Sequence, residues 1–336
     1  MEAALVQRAG YRFMGIPSAG LHGVGLKALP GNLLRLSKGL RAAGKIIKQF
    51  QPDGLLLTGG YVSIPVAIAG RNIPSLLYVP DIEPAQAVSL IARFAERIAV
   101  TTPDSTRFYP QKSKVTVTGY PTRSELKAMD PLEARQKLDL KPEKHVVMVF
   151  GGSQGAQSMN RSLYPQLPTL LKRFQILHLC GETKWEETLS ETEKIPADVR
   201  GEYHPFAYLH ADEMNAAFSA ADLVVSRAGA AVMGELPLFG LPAVLVPYPF
   251  AWRYQQINAR YLEQHGAAIV LQDADMRGSL TGLLYQLFDN PDTLSRMSAS
   301  MRSLATPTAA ETIVDLLENL VKNTSAPRKA GSNGRS

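Results

Sequence analysis

A few short stretches of this chain carry groups suited to one task. Gly151-Gly152-Ser153-Gln154-Gly155 is a glycine-bearing turn that directly follows an apolar run over 145–150. Ser226-Arg227-Ala228-Gly229 repeats the arrangement after 222–225. Each apolar run reads as a buried strand, and each turn is followed by a helix-compatible stretch. Free backbone N–H groups and a helix N-terminus then converge on one spot, which is how a backbone holds a diphosphate. Glu235 lies one to two turns beyond Gly229 in an otherwise apolar helix, placed to accept hydrogen bonds from both hydroxyls of a ribose. Gln255 and Gln256 add amide donors and acceptors matched to the hydroxyls of a sugar ring. The set implies a nucleotide-sugar as ligand.

Other readings of the glycine turns are excluded by spacing. A dinucleotide fingerprint needs Gly-x-Gly-x-x-Gly with an acidic residue about 20 positions on, and no turn here has that form. The Gly-Lys-Ser/Thr ending of a Walker loop is also absent. Close packing of a helix on a strand remains the alternative for any single turn; the carboxylate and amides that follow favour the ligand.

The elements that must position these groups alternate between strand-like and helix-like segments, which implies parallel sheets with crossover helices. In the first half, strands are expected at 54–57, 75–79, 98–101 and 115–118. A third glycine turn, Thr58-Gly59-Gly60-Tyr61-Val62-Ser63, follows the first of them, and a helix is expected over 85–97. In the second half, strands are expected at 145–150, 175–179, 222–225, 243–247 and 267–271. The fold class is therefore α/β, with two Rossmann-like domains whose parallel sheets face a cleft. Residues 1–127 form the first domain, 128–144 a proline-punctuated linker and 145–308 the second domain. A helix over 309–322 crosses back onto the first, and 324–336 is a disordered Ser/Gly/Lys/Arg-rich tail.

Composition bounds the context. A chain of 336 residues with 45% hydrophobic and 20% charged residues is ordinary for a soluble two-domain protein. A lone Cys180 rules out an internal disulfide and suits a reducing compartment. No run approaches the roughly 20 apolar residues that span a bilayer, and the first ten residues do not read as a signal peptide. A cytosolic location is expected.

Charge is unevenly spread. Residues 1–127 hold 16 Lys and Arg against 7 Asp and Glu, and no acidic residue falls between Ala3 and Pro52. A helix over 32–50 places Leu33, Leu36, Leu40, Ala43 and Ile47 on one face. Arg35, Lys38, Arg41, Lys45 and Lys48 line the other, with Leu34 exposed among them. Such a face suits adsorption to anionic lipid, and the solvated outside of an ordinary helix fits it too. Nucleic acid is not expected as a partner, because no aromatic residues interleave with the basic ones.

The motifs together resemble the MurG family. The stretches Gly151-Gly152-Ser153-Gln154-Gly155-Ala156, Ser226-Arg227-Ala228-Gly229-Ala230, Glu235 through Gly240-Leu241-Pro242-Ala243, and Gln255-Gln256-Ile257-Asn258-Ala259 carry the likeness in the second half. Thr58 to Ser63 and Val117-Thr118-Gly119-Tyr120-Pro121 carry it in the first. The resemblance implies an inverting glycosyltransferase that moves N-acetylglucosamine from UDP-N-acetylglucosamine to an undecaprenyl-diphosphate-linked N-acetylmuramoyl pentapeptide, without a cofactor or metal. It implies a peripheral location on the inner face of the cell membrane. Ser153, with Gly152 and Gln154, would lie against the diphosphate, and Arg227 and Gly229 would complete the nucleotide pocket. Glu235 would hold the ribose, and Gln255 and Gln256 the N-acetylglucosamine. Leu209 and Met214 lie where the family packs the uracil, and Gly59, Gly60 and Tyr61 fall on the acceptor side.

The chain departs from the family in two places. The family's opening strand and Gly-Gly-Thr-Gly-Gly-His loop, whose histidine is a candidate base, have no counterpart, which suggests a shortened sequence. After Pro74 the family's His-Glu-Gln-Asn becomes Tyr78-Val79-Pro80-Asp81. Asp81 is thus a candidate base, although Asp81 and Glu83 also suit capping of a helix beginning near Pro84. A transferase with another lipid acceptor, and an inactive nucleotide-sugar-binding remnant, stay open as alternatives.

Overall fold

Runs of Val, Leu and Ile form two parallel sheets in a computed structural model that describes residues 2–18, 29–152, 155–250 and 253–325. Contacts divide the chain into two units. The first comprises residues up to Pro80, Pro84–Thr118 and the stretch from Glu311 onward; the second comprises Asp81–Glu83 and Gly119–Ala310.

In the first unit the strands are β1 (Leu55–Leu57), β2 (Ser75–Val79), β3 (Arg97–Val100) and β4 (Val115–Val117), in spatial order β1-β2-β3-β4. β2 is buried at every position, as a strand covered on both faces must be. Its alternate residues supply two cores. Leu77 and Val79 join Leu57, Ile64, Ile91 and Val100, whereas Leu76 and Tyr78 join Ala99, Ile313 and Leu320. The second of these cores exists because the helix Ala309–Ser325 lies on the sheet. Residues 326–336, the rest of the expected tail, lie outside the described ones.

The helix over 85–97 is shorter than expected, Gln86–Ile91, because Arg97 already begins β3. Asp81 and Glu83 do not cap it. Its N-cap is Ala85, with no side-chain cap bond, and both carboxylates are engaged elsewhere. The basic helix runs Leu29–Phe50. Ala43 is buried, Leu36 and Ile47 are half-buried, and the five named cations are all exposed, as is Leu34 at 56%. Leu40, expected inside, is 38% exposed: only part of the apolar stripe, Leu36 among it, packs against the first core. The side chain of Leu33 lies outside the described ones.

In the second unit the strands are β5 (Val146–Phe150), β6 (Gln175–Leu179), β7 (Tyr203–Phe206), β8 (Leu223–Ser226), β9 (Ala243–Leu245) and β10 (Ala268–Val270). They stand in the order β10-β9-β8-β5-β6-β7. The order reverses beside β5, which pairs with both β6 and β8, and such a switch point is where open α/β sheets bind ligands at the carboxyl ends of their strands. β7 is missed by a pattern search because it reads Tyr-His-Pro-Phe. Pro205 is tolerated because β7 is an edge strand. Residues 119–144 pack into this unit instead of bridging to it. Pro131 opens the helix Pro131–Lys137 after an Asp130 cap, and Arg135 Nη2 donates to both oxygens of Asp222 at 3.0 and 2.9 Å.

The double-sided burial of β2 makes the last helix part of the first unit's core. Ile313→Ala should lower the stability of that unit by about 2–4 kcal/mol. Amide exchange along β2 and β3 should accelerate, with β5 and β8 unchanged.

Candidate functional site

The register of the switch point brings the two glycine turns together. Phe150 pairs with Ser226, so Gly151 and Arg227 leave adjacent strands side by side. Gly155 requires glycine twice over. Its φ is +73°, and a Cβ there would stand 2.0 Å from the carbonyl oxygen of Cys180. That carbonyl is held from below by a buried relay. Asn160 Nδ2 donates to it at 2.9 Å, which turns Asn160 Oδ1 toward His178 Nε2 at 3.1 Å. His178 Nε2 must therefore carry the proton, leaving Nδ1 to accept from the Tyr203 hydroxyl at 2.6 Å. Complete burial pushes the His178 imidazole down to about 3, so the ring stays neutral and the relay keeps its polarity. Ser153 and Gln154 lie outside the described residues.

Arg227 ties the loops of the second unit to one another. Its guanidinium, 7% exposed, pairs with Asp273 at 2.6 Å and donates to Ser158 Oγ at 2.5 Å and to Val246 O at 3.0 Å. Ser158 Oγ also donates to Asp273 at 3.0 Å, and the Tyr248 ring lies 5.2 Å from the guanidinium carbon. Around this anchor opens a cavity of about 760 Å³, within the size range of small-ligand sites. Its lining includes Gly151, Gly155, Ser158, Arg227, Gln255 and Asp273, with Phe250 standing 82% exposed. Gln255 Oε1 accepts from the Tyr248 N–H at 2.8 Å, so its Nε2 donors are what it can offer a ligand.

A second cluster stands on the other side of the same turn. Glu235, in the helix Val232–Phe239, is met by Arg123 at 3.4 Å. Burial nevertheless lifts its carboxyl above the usual range, with Arg123 opposing the shift. Tyr120 feels both Glu235 and Asp81: burial, then those carboxylates, raise its hydroxyl. Asn258, fully buried in the helix Tyr254–Gln264, donates to Asp81 Oδ1 at 2.9 Å and to Ala228 O at 3.2 Å, and accepts from Ile82 N at 3.3 Å. Next to it, Arg253 forks onto Glu83.

The structure thus gathers Gly152 (φ +96°), Arg227 and Gln255 around the cavity turn, and Gly229 and Glu235 beyond it. Gln256 is half-buried on the same helix as Gln255. Leu209, 2% exposed, has its side chain in the interior, whereas Met214 is half-buried in the helix Ala211–Ala220. Gly59 and Gly60, with φ of +92° and +77°, and Tyr61, 44% exposed, form the turn after β1. Sequence reasoning missed Arg123, Ser158 and Asp273, and did not assign a role to Asn258. Only Asn258 carried a signal, being one helical turn from Gln255. No group of three or more His, Cys, Asp or Glu among the described residues is placed to hold a metal ion.

Residues 146–314 match the glycosyltransferase family 28 C-terminal domain and residues 1–99 the family 28 N-terminal domain. A Roseiflexus sp. (strain RS-1) protein is 38% identical over 360 residues, covering 96% of this chain and 82% of its own length. A Desulforamulus reducens protein is 34% identical, covering 96% and 88%. Both bear the name UDP-N-acetylglucosamine–N-acetylmuramyl-(pentapeptide) pyrophosphoryl-undecaprenol N-acetylglucosamine transferase. Among solved structures, Acinetobacter baumannii MurG superposes with a TM-score of 0.73 at 26% identity, covering 95% of this chain and 88% of that one. A Neisseria meningitidis UDP-GlcNAc 2-epimerase, at 12% identity and a TM-score of 0.62 over 95% and 88%, shares the fold alone. The architecture is that of the GT-B class of α/β proteins. The chain belongs to the MurG family, within glycosyltransferase family 28.

Removing one partner of the buried pair should leave a desolvated charge. Asp273→Ala should cost the second unit about 3–5 kcal/mol in urea unfolding. Asp273→Ala/Arg227→Met, which removes both charges, should recover part of that loss.

Proposed function

We infer that the chain is an inverting glycosyltransferase. It moves N-acetylglucosamine from UDP-N-acetylglucosamine to the undecaprenyl-diphosphate-linked N-acetylmuramoyl pentapeptide, forming the lipid-linked precursor of peptidoglycan. The observation that carries this reading is the switch-point cavity. Two glycine turns, a buried arginine and an amide-bearing helix meet there, in a chain that matches transferases of that name over 96% of its length.

The roles follow from chemistry. N–H groups of the 151–155 stretch, Ser153 and Gln154 among its residues, take the diphosphate. Charge appears on that diphosphate as the anomeric bond breaks, so donors fixed in place lower the barrier without a metal. Arg227 is neutralised by Asp273 and shapes the pocket more than it charges it. Gly229 leaves room beside the turn: among the described residues, its chain neighbours aside, no atom lies within 4 Å of a Cβ placed there. Glu235 accepts from the ribose hydroxyls, Gln255 and Gln256 bind the sugar, and Leu209 and Met214 back the uracil. Gly59, Gly60 and Tyr61 serve the acceptor. Asp81 takes the proton of the attacking hydroxyl.

The enzyme works peripherally at the cytoplasmic membrane face. Among the described residues no helix is long and apolar enough to cross a membrane. The exposed stripe of Arg35, Lys38, Arg41, Lys45 and Lys48, with Leu34 between them, suits an anionic surface.

Purified protein should transfer labelled N-acetylglucosamine to a lipid-linked muramoyl pentapeptide. Glu235→Ala should weaken UDP binding by at least tenfold in calorimetry, a loss of about 1.4 kcal/mol. Unchanged UDP affinity in that variant removes the ribose role, and transfer only to a different lipid-linked sugar revises the acceptor.

Binding to phosphatidylglycerol vesicles should fall steeply with salt. Arg41→Glu/Lys45→Glu should abolish it while leaving UDP affinity intact. Equal sedimentation of the variant and the parent protein would mean that the stripe is merely solvated.

A further inference from the structure

The segment Asp81–Ile82–Glu83 is unusual in the chain. Its flanks, Pro80 and Pro84, belong to the first unit, while its own contacts are made within the second. All three residues grip the helix Tyr254–Gln264 or the residue before it: Asp81 and Ile82 through Asn258, Glu83 through Arg253. The amide of Asn258 has only one orientation that fits. Ile82 N–H needs an acceptor and so takes Oδ1, which directs Nδ2 at Asp81 Oδ1 and Ala228 O. Being fully buried, the amide cannot exchange these partners for water. Asp81 Oδ2 takes no bond from another described residue.

We propose that Asn258 is the positioning residue for Asp81, orienting its carboxylate for proton transfer and fixing it to the Ser226–Gly229 turn. The inference rests on Asp81 being the base. In the step, the acceptor sugar's hydroxyl oxygen bonds to the anomeric carbon as the bond from that carbon to the diphosphate oxygen breaks. The bonding pair leaves on UDP, and the hydroxyl proton passes to Asp81 Oδ2. Asn258 occupies Oδ1, so one oxygen of the pair remains for the proton. Through Ala228 the same amide ties the base to the turn on which the donor is held, setting attacking and leaving groups in one frame.

The two roles titrate differently. Burial raises the Asp81 carboxyl and the Asn258 donor lowers it. The other titratable groups in this cluster are Tyr120, which interacts with Asp81 and with Glu235; Glu235 itself, met by Arg123; and Glu83, paired with Arg253. A base must be deprotonated, so kcat/KM falls as pH drops through the Asp81 pKa. Removing the donor moves that acidic limb to higher pH.

The test uses the full chain with UDP-N-acetylglucosamine and a short-chain lipid-linked muramoyl pentapeptide. Asn258→Ala should lower kcat ten- to a hundredfold with less than a threefold change in donor KM, and should raise the acidic limb by about one pH unit. Asn258→Ser, which keeps a short donor, should restore part of both. Asn258→Ala should add little to Asp81→Asn in the double variant. Should the alanine variant fail to bind UDP, the serine variant carries the pH measurement. An acidic limb unmoved in a variant that still binds UDP overturns the positioning role. Full activity in Asp81→Asn overturns the base reading on which it rests, whatever Asn258 does.

Discussion

The guanidinium of Arg227 is the constraint on which the switch-point cavity depends. It reaches the stretch after β9 through Val246 O, the stretch after β10 through Asp273, and the helix after β5 through Ser158. Glycine turns are soft where they leave a sheet, and a diphosphate needs its donors already in place. An arginine with a paired charge and a fixed fork can hold several loops where a lysine would hold one. The buried pair therefore earns its desolvation cost as registration of loops more than as stability.

A second buried polar system performs the same service from below. The relay from Tyr203 through His178 and Asn160 to Cys180 O ends at the carbonyl against which Gly155 is pressed. It works because the imidazole is neutral, with its tautomer set by an amide whose own orientation is fixed. Above it, Ala228 and Arg227, adjacent in sequence, face different clusters: one is tied to Asn258, the other to Asp273. One turn thereby joins the cavity around Arg227 to the cluster that holds Asp81.

What the sequence revealed was what repeats locally. Strands 75–79 and 175–179 were legible to the residue, since their apolar runs are bounded by prolines, glycines and polar residues. The glycine turns after β1 and β5 were legible because the backbone at Gly59, Gly60, Gly152 and Gly155 demands glycine. β7 was not, as an edge strand with a proline carries no apolar alternation. The stretch around Pro131 looked like a linker because an Asp-Pro pair marks a helix start as well as a break. Asp81 was noticed, but its engagement was misread. A carboxylate just ahead of a helix suggests a cap, and nothing local announces an asparagine 177 positions away. Arg123 and Asp273 went unassigned for the same reason: each acquires meaning from a partner that only the fold supplies.

The helix that closes the first unit comes from the far end of the chain, and this bears on how the protein is made. Until Ile313 and Leu320 emerge, the face of the first sheet carrying Leu76, Tyr78 and Ala99 has no cover. The second unit, nearly all one continuous stretch, can fold first although it is translated later. The nascent polypeptide thus trails an unfinished, adhesive sheet through most of its synthesis.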